Sequence, residues 1–422
     1  MTAQISILNK NAVVLATDSA VTIANGQKEK AFNTAEKLFE LVRNKPVGIM
    51  IYNAAEFNGV PWETFIKDYG KKRANGSFPF LEDYKTDFFE FLSGNDLFID
   101  EAGELLSVCR LADEISNLIF GELNDKLSVA ELINESIVLE KLKETISAIE
   151  KNFREDRVYK DFEPLIKINY LEKYRPAIEN IVREKVSVSV SDEDFGSIVQ
   201  LIEKIIYSDY TGDNYTGIVI AGYGDNDYFP RLYQTEIFLC LNGILKVKEY
   251  VPAIIGKGIV KGESTAELRP FAQHDMVDMF MRGMAPALNK YIIDLFSEVL
   301  DRINDSSKQL RKENTDSDMI NMVTNAKKLI EEELEKTERE YFINPVIEML
   351  GSLGKQQLAE MAETLIELTS FKRKISMETD SVGGPVDIAI ISKYEGFIWI
   401  KRKYYFNKDL NPAYIERRKK GL

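Results

Sequence analysis

Strand signals open this chain, return in its middle and close it, and helical periodicity fills the stretches between; that distribution constrains the fold more than any other feature. Residues 2–80 read as β-rich and begin with two hairpins. Strand-like runs reappear at Tyr215–Tyr223, Arg231–Phe238 and Leu245–Ile255, and again at Val386–Ile391 and Phe397–Arg402. Between them, residues 81–210 look mostly helical, as in Val129–Leu142, where apolar residues recur at three- and four-residue steps. Further helices are expected from about 271 to 304, over Asn325–Tyr341 and over Pro345–Phe371. Strands contributed by both ends and the centre imply one α+β domain interrupted by helical insertions. The expected core is 1–80 with 211–290 and 345–405. Residues 81–210 are then a helical insertion, 291–344 a helical extension, and 406–422 a basic, solvated tail.

Composition removes several function classes. With 54 Lys and Arg against 68 Asp and Glu in 422 residues, the net charge is −14. That balance argues against nucleic acid as a partner, since a grip on phosphates needs clustered cations. No apolar run approaches the ~20 residues of a membrane-spanning helix, so no membrane partner is expected either. Two cysteines, Cys109 and Cys240, cannot build a disulfide framework, which makes the cytoplasm the expected compartment. The single histidine, His274, stands at an expected helix start, where a surface or capping role is the ordinary one. One His and two Cys cannot supply a usual four-ligand zinc site, and no metal or cofactor is expected. The glycines of Gly222–Asp227 suit a tight turn better than a calcium loop, and those of Gly256–Ser264 lack phosphate-loop spacing. If the chain is an enzyme, its base is something other than histidine.

The opening hairpin supplies an alternative. Gln4–Leu8 and Ala12–Thr17 flank Asn9-Lys10-Asn11, which has turn chemistry. A hairpin centred on Lys10 pairs positions summing to 20 and sets Thr2 opposite Asp18. A second hairpin, Lys37–Val42 with Val47–Tyr52, leaves Lys37 at its open end, on one face with Phe39 and Leu41 by the strand period of two. A lysine on such a face sits either at the sheet edge or against a carboxylate. Were Met1 removed, Thr2 would carry its hydroxyl beside its own α-amine, whose pKa of roughly 7.7–8.0 makes it a usable base near neutrality. A nearby lysine would lower the pKa of both groups, and an aspartate would orient that lysine.

The stretch Thr2-Ala-Gln-Ile-Ser-Ile…Ala12-Val-Val-Leu-Ala-Thr-Asp18 resembles the opening of a proteasome β subunit, or of its simpler bacterial relative that partners a hexameric unfoldase. A short insertion follows. Glu36-Lys37-Leu-Phe-Glu-Leu, Ile218–Tyr223 with Arg231-Leu-Tyr, and Asp380-Ser-Val-Gly-Gly-Pro-Val-Asp-Ile then resemble later family segments in the same order. The resemblance covers about half the chain. It implies the four-layer αββα sandwich of the N-terminal-nucleophile hydrolases and amide-bond hydrolysis through an acyl-enzyme ester on Thr2. It also implies Asp18 and Lys37 as catalytic partners and Asp380 as a supporting acid, although Asp380 stands one residue nearer Gly383 than the family pattern has it. Three features depart from that pattern. Tyr52 or Asn53 aligns where a glycine helps form the oxyanion hole, placing a side chain on the substrate wall. Lys257 replaces the serine of a Gly-Ser-Gly segment, which would make it a site neighbour. Retention of Met1 would block the amine. The implied partners are a peptide or amide substrate, further copies of the chain in a homo-oligomer, and an unfoldase or adaptor. The competing reading is a catalytically silent scaffold or adaptor protein that binds partners through the helical insertion.

Overall fold

The computed structural model describes residues 2–25, 28–32, 35–95, 100–128, 134–153, 157–186, 190–259, 263–310, 316–376 and 383–420. The opening hairpin forms from β1 (Ala3–Asn9) and β2 (Val13–Thr17). Its register is one residue away from that expected: Gln4 lies opposite Thr17 and Ile7 opposite Val14, so paired numbers sum to 21. The turn explains the offset. The Asn9 side-chain oxygen accepts from the Asn11 and Ala12 N–H groups, and Asn9 N–H donates to the Ala12 carbonyl. Lys10-Asn11 is therefore a two-residue loop whose centre lies between those residues. The stretch read as a short insertion contains its own hairpin, β3 (Val21–Asn25) with β4 (Lys28–Phe32). The second expected hairpin is present as β5 (Leu38–Glu40) and β6 (Val47–Asn53), with Leu38 opposite Met50. A small ribbon, β7 (Glu56–Phe57) and β8 (Val60–Pro61), leads into α1 (Trp62–Lys72) and α2 (Leu81–Ser93).

A helical unit follows: α3 (Glu101–Asp125), α4 (Glu135–Asn152), α5 (Glu163–Lys167), α6 (Arg175–Lys185) and α7 (Asp192–Tyr207). Strands resume as β9 (Thr216–Gly222), β10 (Arg231–Leu241), β11 (Ile244–Glu249), β12 (Ala253–Ile254) and β13 (Ala266–Ala272). The helices α8 (Asp275–Arg282), α9 (Pro286–Leu310), α10 (Asp316–Glu338), α11 (Asn344–Ser352) and α12 (Lys355–Ile375) come next. The chain closes with β14 (Asp387–Ser392), β15 (Gly396–Lys401) and α13 (Pro412–Lys420).

The protein is mixed α/β, with two large antiparallel sheets. One runs β13-β1-β2-β14-β15 and the other β11-β10-β9-β6-β5, with β12 beside β10. β13 corrects the expectation of helix from about 271. The strand runs to Ala272 and α8 begins only at Asp275; Pro270 lies within β13, which is an edge strand, where a missing N–H is tolerated. Three cores hold the sheets. Leu8, Leu15 and Ala389 of the first sheet pack with Met50, Val219 and Leu232 of the second. The other face of the first sheet, with Ile5, Val14 and Ile390, packs on Leu358, Ala362 and Ile366 of α12. The other face of the second, with Ile49, Ile220 and Ile237, packs on Trp62 and Phe65 of α1 and Tyr84 and Phe88 of α2. At Gly48, an added Cβ would meet Ile391, Leu15 and Phe397 side chains at 2.8–3.0 Å, so a larger residue there would make the facing side chains shift. Helices α3, α4, α6 and α7 build a separate core that reaches Leu239 and Leu241 of β10. Among the described residues, no helix is long and apolar enough to cross a membrane.

Candidate active site

Three strand ends converge where the two sheets meet. Thr2 precedes β1, Asp18 follows β2 and Lys37 precedes β5; they are 5%, 0% and 5% exposed. The Lys37 ammonium donates to Asp18 Oδ1 at 2.9 Å, to the Thr2 hydroxyl and to the Ala20 carbonyl. An ammonium has three donors, and all three are used. Asp18 Oδ2 accepts the Gly383 N–H at 3.0 Å, and Thr2 Oγ1 lies 3.4 Å from the Ala20 carbonyl. Lys37 leaves the face expected for it. Phe39 and Leu41 join the core under α1 and α2, whereas Lys37 reaches across to the other sheet, where the Asp18 carboxylate holds it.

Burial dominates the electrostatics. Desolvation pushes the Lys37 ammonium below the ordinary lysine range, and the Asp18 charge opposes that only in part. The same desolvation raises Asp18, against the pull of Lys37 and of the Gly383 N–H. The direction that follows from the geometry is a lysine more willing than usual to give up its proton, hydrogen-bonded to a hydroxyl.

A cavity of about 180 Å³ opens onto Thr2 and Lys37, walled by Ile51, Tyr52 and Asn53. Tyr52 is fixed there: its hydroxyl accepts from Gln234 at 2.8 Å and donates to Glu236 at 3.2 Å, and its ring stacks on Phe271. That ring lies over Gly217, where an added Cβ would come within 1.9 Å of it. Asn53 adopts a left-handed backbone (φ 68°), and its side-chain amide donates to the Asp213 and Tyr215 carbonyls. A larger cavity of about 750 Å³ touches Asp18 from the side of α12 but does not reach Thr2.

Other expected site residues fall elsewhere. Lys257 is not a neighbour of Thr2: its carbonyl accepts from Lys10 at the hairpin tip, the opposite end of β1. Because β13 runs antiparallel to β1 with Ala266 opposite Asn9, the glycine-flanked segment that precedes it lies beside the Lys10 turn. Asp380 and Met1 lie outside the described residues. His274 is the N-cap of α8, and its ring pairs with Asp278 on the surface. Lys403, which no sequence motif marks, lies just past β15 and donates to Asp387 Oδ2 at 2.8 Å and to Ser19 Oγ at 2.7 Å. The available signal was Asp387 itself, a carboxylate inside the Gly383-Gly-Pro-Val-Asp run.

No family model matches the chain, and no curated protein does. Nine chains of solved structures match. One is the Anbu (Gly-1) mutant from Hyphomicrobium sp. strain MC1, at 9% identity and a TM-score of 0.28, covering 100% of this chain and 96% of that one.

Proposed function

We propose that this chain is an N-terminal threonine hydrolase that cleaves peptide or other amide bonds, with Thr2 as its nucleophile after removal of Met1. The observation that carries the reading is the buried Lys37 ammonium that joins the Thr2 hydroxyl to Asp18 beside an open cavity. The three cores, helix on sheet, sheet on sheet and sheet on helix, support a four-layer αββα arrangement for the proposed core of 1–80, 211–290 and 345–405, with α2 (Leu81–Ser93) added to one of its helix layers. The separate core of α3 to α7 supports its description as an inserted unit.

In this mechanism Thr2 Oγ attacks the amide carbon while its proton passes to the free α-amine of Thr2. The Lys37 charge stabilises the developing alkoxide, and Asp18 holds Lys37 in place. The Asn53 backbone N–H at the cavity wall is the proposed oxyanion donor, since the Tyr52 N–H is directed at Gly217 of β9. Collapse breaks the C–N bond, the leaving amine takes the proton from the α-ammonium, and an ester remains on Thr2. Water, deprotonated by the same amine, hydrolyses that ester and restores the hydroxyl.

The test is intact mass and peptide mapping before and after a peptide epoxyketone, which closes a ring on both the amine and the hydroxyl of an N-terminal threonine. The expected result is a protein lacking Met1 with an adduct on Thr2 that is lost in Lys37→Ala. A retained Met1 with no adduct removes the hydrolase reading and turns attention to the scaffold alternative.

A further inference from the structure

Lys403 spends its three ammonium donors on three separate chain segments. They go to Asp387 Oδ2 at 2.8 Å, to Ser19 Oγ at 2.7 Å and to the Ala35 carbonyl, while its backbone N–H donates to Asp387 Oδ1 at 2.7 Å. Asp387 is buried and Lys403 half-buried, their side chains 3% and 11% exposed. A purely structural ion pair would need Asp387 alone. The other two donors hold the segments that carry Lys37 and its acceptors. Ser19 stands between Asp18 and Ala20, whose side chain and carbonyl respectively receive Lys37, and Ala35 precedes Lys37 by two residues. The same ring is closed by Ala35 N–H to the Ser19 carbonyl at 3.3 Å, Ser19 N–H to the Gly383 carbonyl at 3.2 Å and Ser19 Oγ to the Pro385 carbonyl at 2.5 Å.

We propose that Lys403 is a positioning residue of the Thr2 site, a clamp that fixes the Asp18–Ala20 and Ala35–Lys37 segments around the Lys37 ammonium. This rests on the hydrolase reading above. Because Lys403 follows the last strand of the first sheet, the site completes only when the β14–β15 hairpin has docked against β2. The clamp also reaches Lys37 through charge. Among the groups that face Lys37, Asp18 and Asp387 hold its proton on and Lys403 drives it off; Glu36 and Glu63 of α1 also line the cavity beside it, as does Thr2, whose α-amine adds a titrating group once Met1 is removed. Removing a cation raises the pKa of a neighbouring lysine, and removing an anion lowers it.

The experiment measures pH profiles of kcat and KM for peptide-amide turnover by the full chain, in wild type, Lys403→Met, Asp387→Asn, Lys403→Arg and Ser19→Ala. Lys403→Met is expected to lose about tenfold or more in kcat with KM within about twofold, as misplacement of a reacting group does. Its Lys37-dependent limb moves to higher pH, whereas in Asp387→Asn it moves to lower pH. Lys403→Arg regains part of the lost kcat. General loosening of the fold cannot move one limb in two opposite directions. Should Lys403→Met fail to fold, Ser19→Ala removes one clamp contact without leaving a charge unpaired, and about a threefold loss in kcat is expected. Unchanged kcat in folded Lys403→Met or in Ser19→Ala, or limbs that shift together, overturns the clamp while leaving Thr2 as nucleophile. A wild type that neither turns over nor forms the Thr2 adduct overturns the hydrolase reading, and the clamp with it.

Discussion

Replacing Lys246 by methionine is expected to stabilise the protein at neutral pH and to lose that advantage in alkali. Lys246 lies on β11 and is 1% exposed; its Nζ donates to the Ile206 carbonyl at 3.2 Å, near the end of α7. Burial drives its pKa from 10.5 down to about 7, with only a weak opposing pull from Asp209. The sign follows from proton linkage. A depressed folded pKa means that the unfolded chain binds the proton more tightly, so this group's stability is intact above pH 10.5, declines as pH falls from 10.5 to 7, and is constant below 7, where both states carry the proton. With those two values, the buried amine costs the folded state about 4–5 kcal/mol below pH 7, about 2 kcal/mol at pH 9 and nothing above about 10.5. Methionine keeps the stem and removes the cost, while the lost hydrogen bond to Ile206 subtracts about 1 kcal/mol. Lys246→Met should therefore be more stable than wild type by about 3–4 kcal/mol at pH 6–7, cross over near pH 9–10, and be slightly less stable beyond. Urea unfolding followed by far-UV circular dichroism at pH 6, 8 and 10, with both proteins in parallel, reads the difference. A difference that does not change with pH, or a variant destabilised equally throughout, would refute the assignment of a depressed pKa to this amine.

At the site, Asp18→Asn leaves the Lys37 ammonium buried without its counter-charge and should cost about 3–5 kcal/mol. Adding Lys37→Met should restore part of that loss, and simple additivity in a double-mutant unfolding cycle would deny the coupling. Gly217→Ala drives a methyl into the Tyr52 ring and should cost about 1–3 kcal/mol by overpacking. Tyr52→Leu in the same chain should relieve the clash, so equal losses with and without it in thermal melts would exonerate Tyr52. Cys240 is fully buried, with its thiol pushed up to about 12, whereas Cys109 is partly exposed. Iodoacetamide at pH 8 followed by peptide mapping should label Cys109 and spare Cys240 in the native protein.

Much of this arrangement was legible from local pattern. The runs Gln4–Leu8 and Ala12–Thr17 around an Asn-Lys-Asn turn declare a hairpin, and Val47–Tyr52 and Tyr215–Tyr223 declare buried strands, because strand pairing and burial leave short-range marks. The residue types at positions 2, 18 and 37 were visible for the same reason: each stands at the end of an identifiable strand. What the sequence could not fix was register, edge position and reach. Whether the first turn centres on Lys10 or between Lys10 and Asn11 depends on the Asn9 side chain, and one residue of slip changes every pairing. Pro270 spoils a strand in the middle of a sheet and is harmless at its edge, and only the strand order β13-β1-β2-β14-β15 says which applies. Lys257 looked like a neighbour of Thr2 until the sheet placed it at the other end of β1. Lys403 carried no sign in its own neighbourhood, the one pointer being the distant Asp387, since its three partners come from segments near residues 19, 35 and 387. The sequence determined which chemistry this chain carries, through side chains and local strand pattern. The tertiary structure decided which of those groups meet, because contacts between distant segments depend on how whole sheets pack and leave no periodic trace in the chain.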